Sequence, residues 1–180
     1  MRRSSAILVL LAAFALLPGA VLAQDAATAE RYAKQAPFFA TAYAANPQVP
    51  RGVLEAVSYV STSFNDLQPA PSLGSEAPPS TAEAYGPMGL IADGGGVLSN
   101  TLDSAAALAG LPVDEVRSQP ASNVLAYAKA FTATRAQRGI TGTGIEDQIP
   151  VLIALSGFHE QALGRYYPLD HFIYSILRFL

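Results

Sequence analysis

The sequence predicts a single domain that is built entirely, or almost entirely, from α-helices. Several stretches place apolar residues at the spacing of one helical face, and residues 26–45 are rich in alanine. No stretch shows the sustained alternation of apolar and polar residues that is typical of a half-buried strand, and there is no tandem repeat. The chain of 180 residues, 51% of them hydrophobic, is long enough for one domain with its own core.

The first 23 residues have the pattern of a secretory signal peptide. Arg2 and Arg3 precede the apolar run AILVLLAAFALLPGAVLA, which ends in small residues. We therefore predict cleavage before Gln24 and export of residues 24–180 to the periplasm or cell envelope, with no membrane association afterwards. A retained membrane anchor is the alternative, because the run is about as long as a short transmembrane span. The Pro-Gly pair inside the run and its small-residue end favour cleavage, and the absence of cysteine excludes a lipoprotein anchor.

The charge balance argues against nucleic acid as a partner. Loss of Arg2 and Arg3 leaves 9 basic and 14 acidic residues, a net charge of −5. Such a chain lacks the basic surface that neutralises phosphates. Since there is no cysteine, an exported domain of this kind depends on packing rather than on disulfides.

The first two helices are predicted at residues 26–45 and 51–64. The first is rich in alanine, and Pro37 is expected to break or kink it. The second carries one apolar stripe at helical spacing, and Pro50 suits its first turn.

Residues 67–84 contain four prolines with several serines and glycines, so they predict a long inserted loop. A helix at 100–110 has a capping pattern at its start and Gly110 at its end. A further helix is predicted at 119–138, with proline early and glycine just past its end. Two short apolar helices complete the prediction, at 147–156 and 168–180.

The last residues, FIYSILRFL, form an apolar stripe without a polar cap. A helix end of this kind is not expected to face water alone. Either it packs against the core or the natural protein continues, and we favour continuation.

Several common site types are not indicated. His159 and His171 are the only histidines, and neither lies in a zinc-binding spacing, so we expect no metal and no cofactor. No G-x-S-x-G turn is present for a serine hydrolase. The sequence ADGGG at 92–96 follows no predicted strand and precedes no lysine, so it predicts a turn rather than a phosphate-binding loop.

Three segments form an ordered series: VPRGVLEAVSYVSTSFND, then YGPMGLI, then SQPASNVLAYAKAF. Together they resemble the soluble lytic transglycosylases, lysozyme-like enzymes that cut the glycan strands of peptidoglycan. The resemblance covers about residues 45–160 and implies a lysozyme-like helical fold. The positions that match the family motifs are Phe64, Asn65, Gly86, Gly89, Leu90, Pro120 and Asn123.

The sequence differs from that family at the positions that would carry out catalysis. Its catalytic glutamate falls on Ser61, and its methionine and glutamine fall on Ile91 and Ala92. A transglycosylase needs a carboxylic acid to protonate the glycosidic oxygen, and a serine hydroxyl cannot replace it.

A displaced acid is the alternative that would preserve catalysis. Glu55 lies about 9 Å back along the helix axis from Ser61 and points away from it, most simply toward solvent. Glu83 is the better candidate because its loop could fold over a cleft, and Asp66 is the nearest second carboxylate. Otherwise Glu83 and Asp66 are solvated loop carboxylates.

A second resemblance is to the degenerate lysozyme-like module that precedes the zinc amidase domain in some exported N-acetylmuramoyl-L-alanine amidases. It implies a module of a cell-wall hydrolase system that binds glycan strands without cutting them. A zinc amidase domain, C-terminal or separate, would then be the catalytic partner. The remaining alternatives are an active muramidase or transglycosylase using Glu83, and a protein-interaction scaffold without sugar affinity.

A sugar-binding cleft is expected between helix 51–64 and the loop around 83–92. Aromatic side chains would stack on sugar rings, and amides and hydroxyls would bond to sugar hydroxyls. Tyr127 and Phe64 have helical spacing and could equally belong to the core. The candidate binding residues are Ser61, Thr62, Asn65, Tyr85, Gly86, Gly89, Asn123 and Tyr127.

Overall fold

The structure, a computed structural model, describes residues 17–68, 82–92, 98–159 and 166–180. Residues 1–16 of the predicted signal peptide, most of the predicted loop 67–84, and most of the ADGGG segment lie outside these ranges. The chain divides into two units, Met1–Lys34 and Gln35–Leu180. Among the described residues, no helix combines the length and the apolar composition needed to cross a membrane.

The described residues are mostly helical, as the sequence predicts. The helices are α1 Leu17–Ala45, α2 Val53–Thr62, α3 Thr101–Ala109, α4 Val113–Ser118, α5 Pro120–Gln137, α6 Ile149–Leu155 and α7 Tyr166–Phe179, with a 3-10 turn at Glu146–Gln148 before α6. Two strands, β1 Ala84–Tyr85 and β2 Leu90–Ile91, form an antiparallel hairpin in which Ala84 pairs with Ile91 and Tyr85 with Leu90.

Most helix boundaries follow the predicted capping signals. The Asn100 side chain accepts a hydrogen bond from the backbone N–H of Asp103 at 2.9 Å, and Gly110 closes α3 with a left-handed φ of 66°. Pro120 occupies the first turn of α5, and Gly139 follows its end with φ 65°.

A break or a kink was expected at Pro37; the expected break is wrong, because Pro37 lies inside the continuous helix Leu17–Ala45. Helix α4 and the hairpin were not predicted from the sequence. Helix α4 has six residues and only Val116 of it is buried, so it presents almost no periodic pattern. Each strand has two residues, which is too short for alternation to be detected.

The core of the second unit is formed where α2, α3 and α5 pack with the C-terminal part of α1. Its largest fully buried side chains include Phe39, Leu54, Leu102, Phe131 and Leu152. Helix α5 packs against α3, α4 and α6, while α7 packs against α2 and α6. The apolar end of α7 therefore lies against α2, where the Phe179 ring is 5.2 Å from the Tyr59 ring and 6.4 Å from the Phe64 ring.

Candidate functional site

The turn of the hairpin packs directly on the last turn of α2. A Cβ added at Gly89 would lie 3.0 Å from the Cβ of Ser61, so the two backbones approach closely. The Thr62 hydroxyl lies 2.9 Å from the carbonyl oxygen of Pro87, and the buried Ser58 hydroxyl lies 3.0 Å from the same oxygen. The structure thus brings the first two predicted motif segments together at this contact.

Asn123 joins the third motif segment to the same turn. Its side chain is 1% exposed, and its Oδ1 accepts a hydrogen bond from the N–H of Met88 at 3.0 Å. Its Nδ2 donates to the carbonyl oxygens of Tyr85 at 3.2 Å and Val116 at 3.1 Å. The amide is therefore engaged inside the protein, and it holds the turn instead of facing a ligand.

Gly86 is required for that arrangement. Its φ of 67° lies in the left-handed region, and an added Cβ would come within 2.2–2.5 Å of the Asn123 amide group. Any other residue at this position would displace the Asn123 side chain.

The end of α2 has an unusual backbone. Ser63 and Phe64, consecutive non-glycine residues, both have left-handed φ angles of 52° and 61°. Gln35 donates a hydrogen bond to the carbonyl oxygen of Phe64, and Asn65 donates to that of Thr62 at 2.6 Å. These two hydrogen bonds stabilise a tight turn at residues 63–64. The sequence did not predict this turn, because it has no glycine at either position.

The eight predicted binding residues fall into three groups. Ser61 and Asn65 are exposed, and no described residue hydrogen bonds to the Ser61 hydroxyl. Tyr127 is 2% exposed and belongs to the core, where burial raises the pKa of its hydroxyl. The others surround the contact between hairpin and α2, where Thr62 and Asn123 bond to the protein itself; they are Thr62, Tyr85, Gly86, Gly89 and Asn123.

Glu83 lies at the open end of the hairpin, away from the turn that touches Ser61. Its carbonyl oxygen accepts a hydrogen bond from the N–H of Ala92 at 2.8 Å, so it faces the last residues of β2. The two residues of β1 separate it from Gly86 at the turn, and three residue steps along an extended chain span about 10 Å. Its carboxylate accepts a hydrogen bond from the Tyr85 hydroxyl at 2.7 Å, which raises the pKa of that hydroxyl.

The other two candidate carboxylates are also engaged elsewhere. Burial raises the pKa of Asp66, and the hydrogen bond from Gln68 at 3.4 Å opposes that shift. Glu55, expected to face solvent, is only partly exposed, and it accepts a hydrogen bond from the Tyr43 hydroxyl.

A groove of about 420 Å³ lies between α2 and α7. Its walls are mostly aromatic and aliphatic, with two serine hydroxyls, one tyrosine hydroxyl and one imidazole. Among the described residues, no carboxylate lines it. The lining residues are Tyr59, Val60, Ser63, Phe158, Pro168, His171, Phe172 and Ser175.

The groove and the hairpin contact opposite sides of α2. At about 100° per residue, the groove positions 59, 60 and 63 are centred roughly 150° from the hairpin positions 58, 61 and 62. The cleft predicted from the sequence lies on the hairpin side, and the groove was not predicted. The apolar stripe of the last helix was the available signal, since α7 forms the second wall.

The described residues contain no group of three or more histidine, cysteine, aspartate or glutamate side chains that could hold a metal ion. His171 lines the groove and His159 is exposed. Comparisons of this chain with protein-family models, with curated proteins and with solved structures each found no match.

Proposed function

We propose that this chain is an exported, lysozyme-like module of a cell-wall hydrolase system that binds peptidoglycan glycan strands without cutting them. The proposal is supported by the three motif segments, which are separate in sequence and meet around the end of α2. Gly89 contacts Ser61, and Asn123 holds the turn between Tyr85 and Met88. The resemblance to transglycosylases thus rests on segments that contact one another.

The observation that carries the proposal is the chemistry of the groove between α2 and α7. Tyr59, Phe158 and Phe172 offer flat apolar faces, which suit the C–H faces of sugar rings. Ser63, His171 and Ser175 offer hydrogen-bonding groups for hydroxyls or N-acetyl groups. The volume lies in the range of small-molecule sites.

The positions of the acids support the proposed lack of cleavage. Cleavage by a lysozyme-like mechanism requires a carboxylic acid beside the glycosidic oxygen. Ser61 occupies the family's acid position, and no described carboxylate lines the groove. Glu83 is bound to Tyr85 at the far end of the hairpin, so no observation favours the displaced-acid enzyme. Bond cleavage is assigned to a partner zinc amidase domain, C-terminal or separate.

Purified sacculi provide the test. The protein is incubated with sacculi, which are then pelleted, and the supernatant is analysed by mass spectrometry for released anhydro-muropeptides. We expect the protein in the pellet and no release. If muropeptides are released and Glu83→Gln abolishes the release, the protein is instead an enzyme with a displaced acid. If the protein neither pellets with sacculi nor releases muropeptides, a protein-interaction scaffold is the remaining alternative.

A further inference from the structure

The outward face of α7 carries a continuous stripe of planar, polar-edged side chains. They occur at positions i, i+4, i+7 and i+11, which lie on one face of an α-helix. Tyr167 is 83% exposed and Tyr174 is 62% exposed, and the other two side chains are also exposed. We define this stripe as Tyr167, His171, Tyr174 and Arg178.

The stripe is not part of the packing of the fold. Helix α7 buries Leu169 and Ile176, and these positions point about 180° away from the stripe at 100° per residue. The tyrosine rings are therefore presented to the surroundings. Asp170 and Leu177 flank the stripe on the side away from the groove.

The stripe is continuous with the groove. His171 belongs to both, because it lines the groove and also lies between Tyr167 and Tyr174. A linear ligand that lies in the groove and leaves it past His171 would therefore meet the stripe.

The chemistry of the stripe selects among possible occupants. Each member combines a flat face with a polar edge, which suits sugar rings better than the aliphatic interior of a bilayer or a protein core. Tyr167 and Tyr174 are seven residues apart, about 10.5 Å along the helix axis. This spacing is close to the repeat of two β-1,4-linked pyranose rings. The acidic net charge of the chain, −3, opposes binding to nucleic acid or to an anionic lipid surface.

From this geometry we infer that the glycan-binding site extends out of the groove along the stripe, so that long glycan strands bind more tightly than a disaccharide. The inference rests on the proposed function, and it adds a second binding element on the outer face of α7. Tyr167 and Tyr174 provide stacking platforms for alternate sugars of one strand, and His171 and Arg178 bond to hydroxyls between them.

The test compares glycan length with tyrosine substitutions. Peptide-free glycan strands prepared from sacculi are sorted into disaccharides and strands of eight or more sugars, and their Kd values are measured by calorimetry. The double variant Tyr167→Ala/Tyr174→Ala removes both rings from exposed positions, and Tyr167→Phe/Tyr174→Phe is the matched control that keeps them. We expect the alanine variant to lose about tenfold in affinity for long strands and to keep its affinity for the disaccharide, because only stacking is removed. The phenylalanine variant should retain most of the long-strand affinity.

Two results would overturn the inference while leaving the proposed function intact. One is equal affinity of the wild-type protein for short and long strands, and the other is unchanged long-strand affinity in the alanine variant. Failure of the wild-type protein to bind any strand would remove both proposals. Vesicles of phosphatidylglycerol and phosphatidylethanolamine form a further arm, in which tyrosine-dependent binding to lipid without tyrosine-dependent binding to glycan would also overturn the inference.

Discussion

The two sides of α2 differ in what their polar groups do. On the hairpin side, Ser58 and Thr62 lie buried against the Pro87 carbonyl, and Asn123 holds the turn from behind. On the α7 side, Tyr59 is 43% exposed, and it borders an open groove with Ser63. The side that carries the recognisable motif is therefore built for stability, and the side without a motif has the room for a ligand.

The largest effect on stability is expected for Asn123→Ala. The substitution removes the three hydrogen bonds that Asn123 makes, to the Met88 N–H and to the carbonyls of Tyr85 and Val116, and each buried group left unsatisfied costs about 1–3 kcal/mol. We expect a loss of about 3–5 kcal/mol in the free energy of unfolding, measured by urea denaturation. Asn65→Ala is the control, because Asn65 is exposed and makes one local bond. Similar losses for both variants would contradict a special role for Asn123.

Gly86→Ala should be the next most destabilising change. The added Cβ meets the Asn123 amide and the backbone is left-handed, so strain and overlap together cost about 2–4 kcal/mol. Gly110→Ala is a matched control, since φ is 66° there and nothing lies within 4 Å of the added Cβ. It should cost about 1 kcal/mol from backbone strain alone. If thermal unfolding shows that Gly86→Ala and Gly110→Ala lose the same stability, the hairpin turn can move to accept the added Cβ without cost.

On the groove side of α2, a substitution should change ligand affinity and leave stability almost unchanged. His171→Ala removes an exposed side chain from the groove wall, so we expect a stability change below about 0.5 kcal/mol. Affinity for sacculi should nevertheless fall about tenfold, because a hydrogen-bonding and stacking group is lost. His159→Ala, at an exposed histidine outside the groove lining, should leave affinity unchanged in the same pelleting assay. If both variants bind alike, the groove is not the binding surface.

The smallest effect is expected at Asp66, just beyond the end of α2. Its pKa is raised in the folded protein by burial, so its charged form costs stability at neutral pH. Asp66→Asn should raise the melting temperature at pH 7, and Gln68 can still donate to the new amide oxygen. The gain should disappear as the pH falls through the raised folded pKa and below the unfolded value of about 3.9, where the carboxyl is neutral in both states. A gain that persists at about pH 3 would point to a cause other than charge.

The sequence predicted the helices well because their caps are local signals. Asn100, Gly110, Pro120 and Gly139 each mark a boundary within a few residues of where the structure has it. The hairpin was predicted only as a loop with the glycines of a motif, since two-residue strands carry no periodicity.

The site was harder to predict because its determinants are not local. Whether Asn123 faces a ligand or the Met88 N–H depends on a contact 35 residues away in sequence. Tyr127 likewise lies at a helical spacing that suits either a cleft or the core, and only the packing of α5 within the fold shows that it belongs to the core. The groove exists because α7 packs against α2, and no motif in the sequence of α7 predicts that packing.

The most direct test asks which side of α2 meets the sugar. Backbone amide shifts of the isotope-labelled protein are followed by NMR during titration with a peptide-free glycan tetrasaccharide. We expect the largest shifts along α7, at residues 168–175, with the hairpin turn at 86–89 almost unchanged. Shifts centred on the hairpin turn and Ser61, with α7 unaffected, would contradict this expectation.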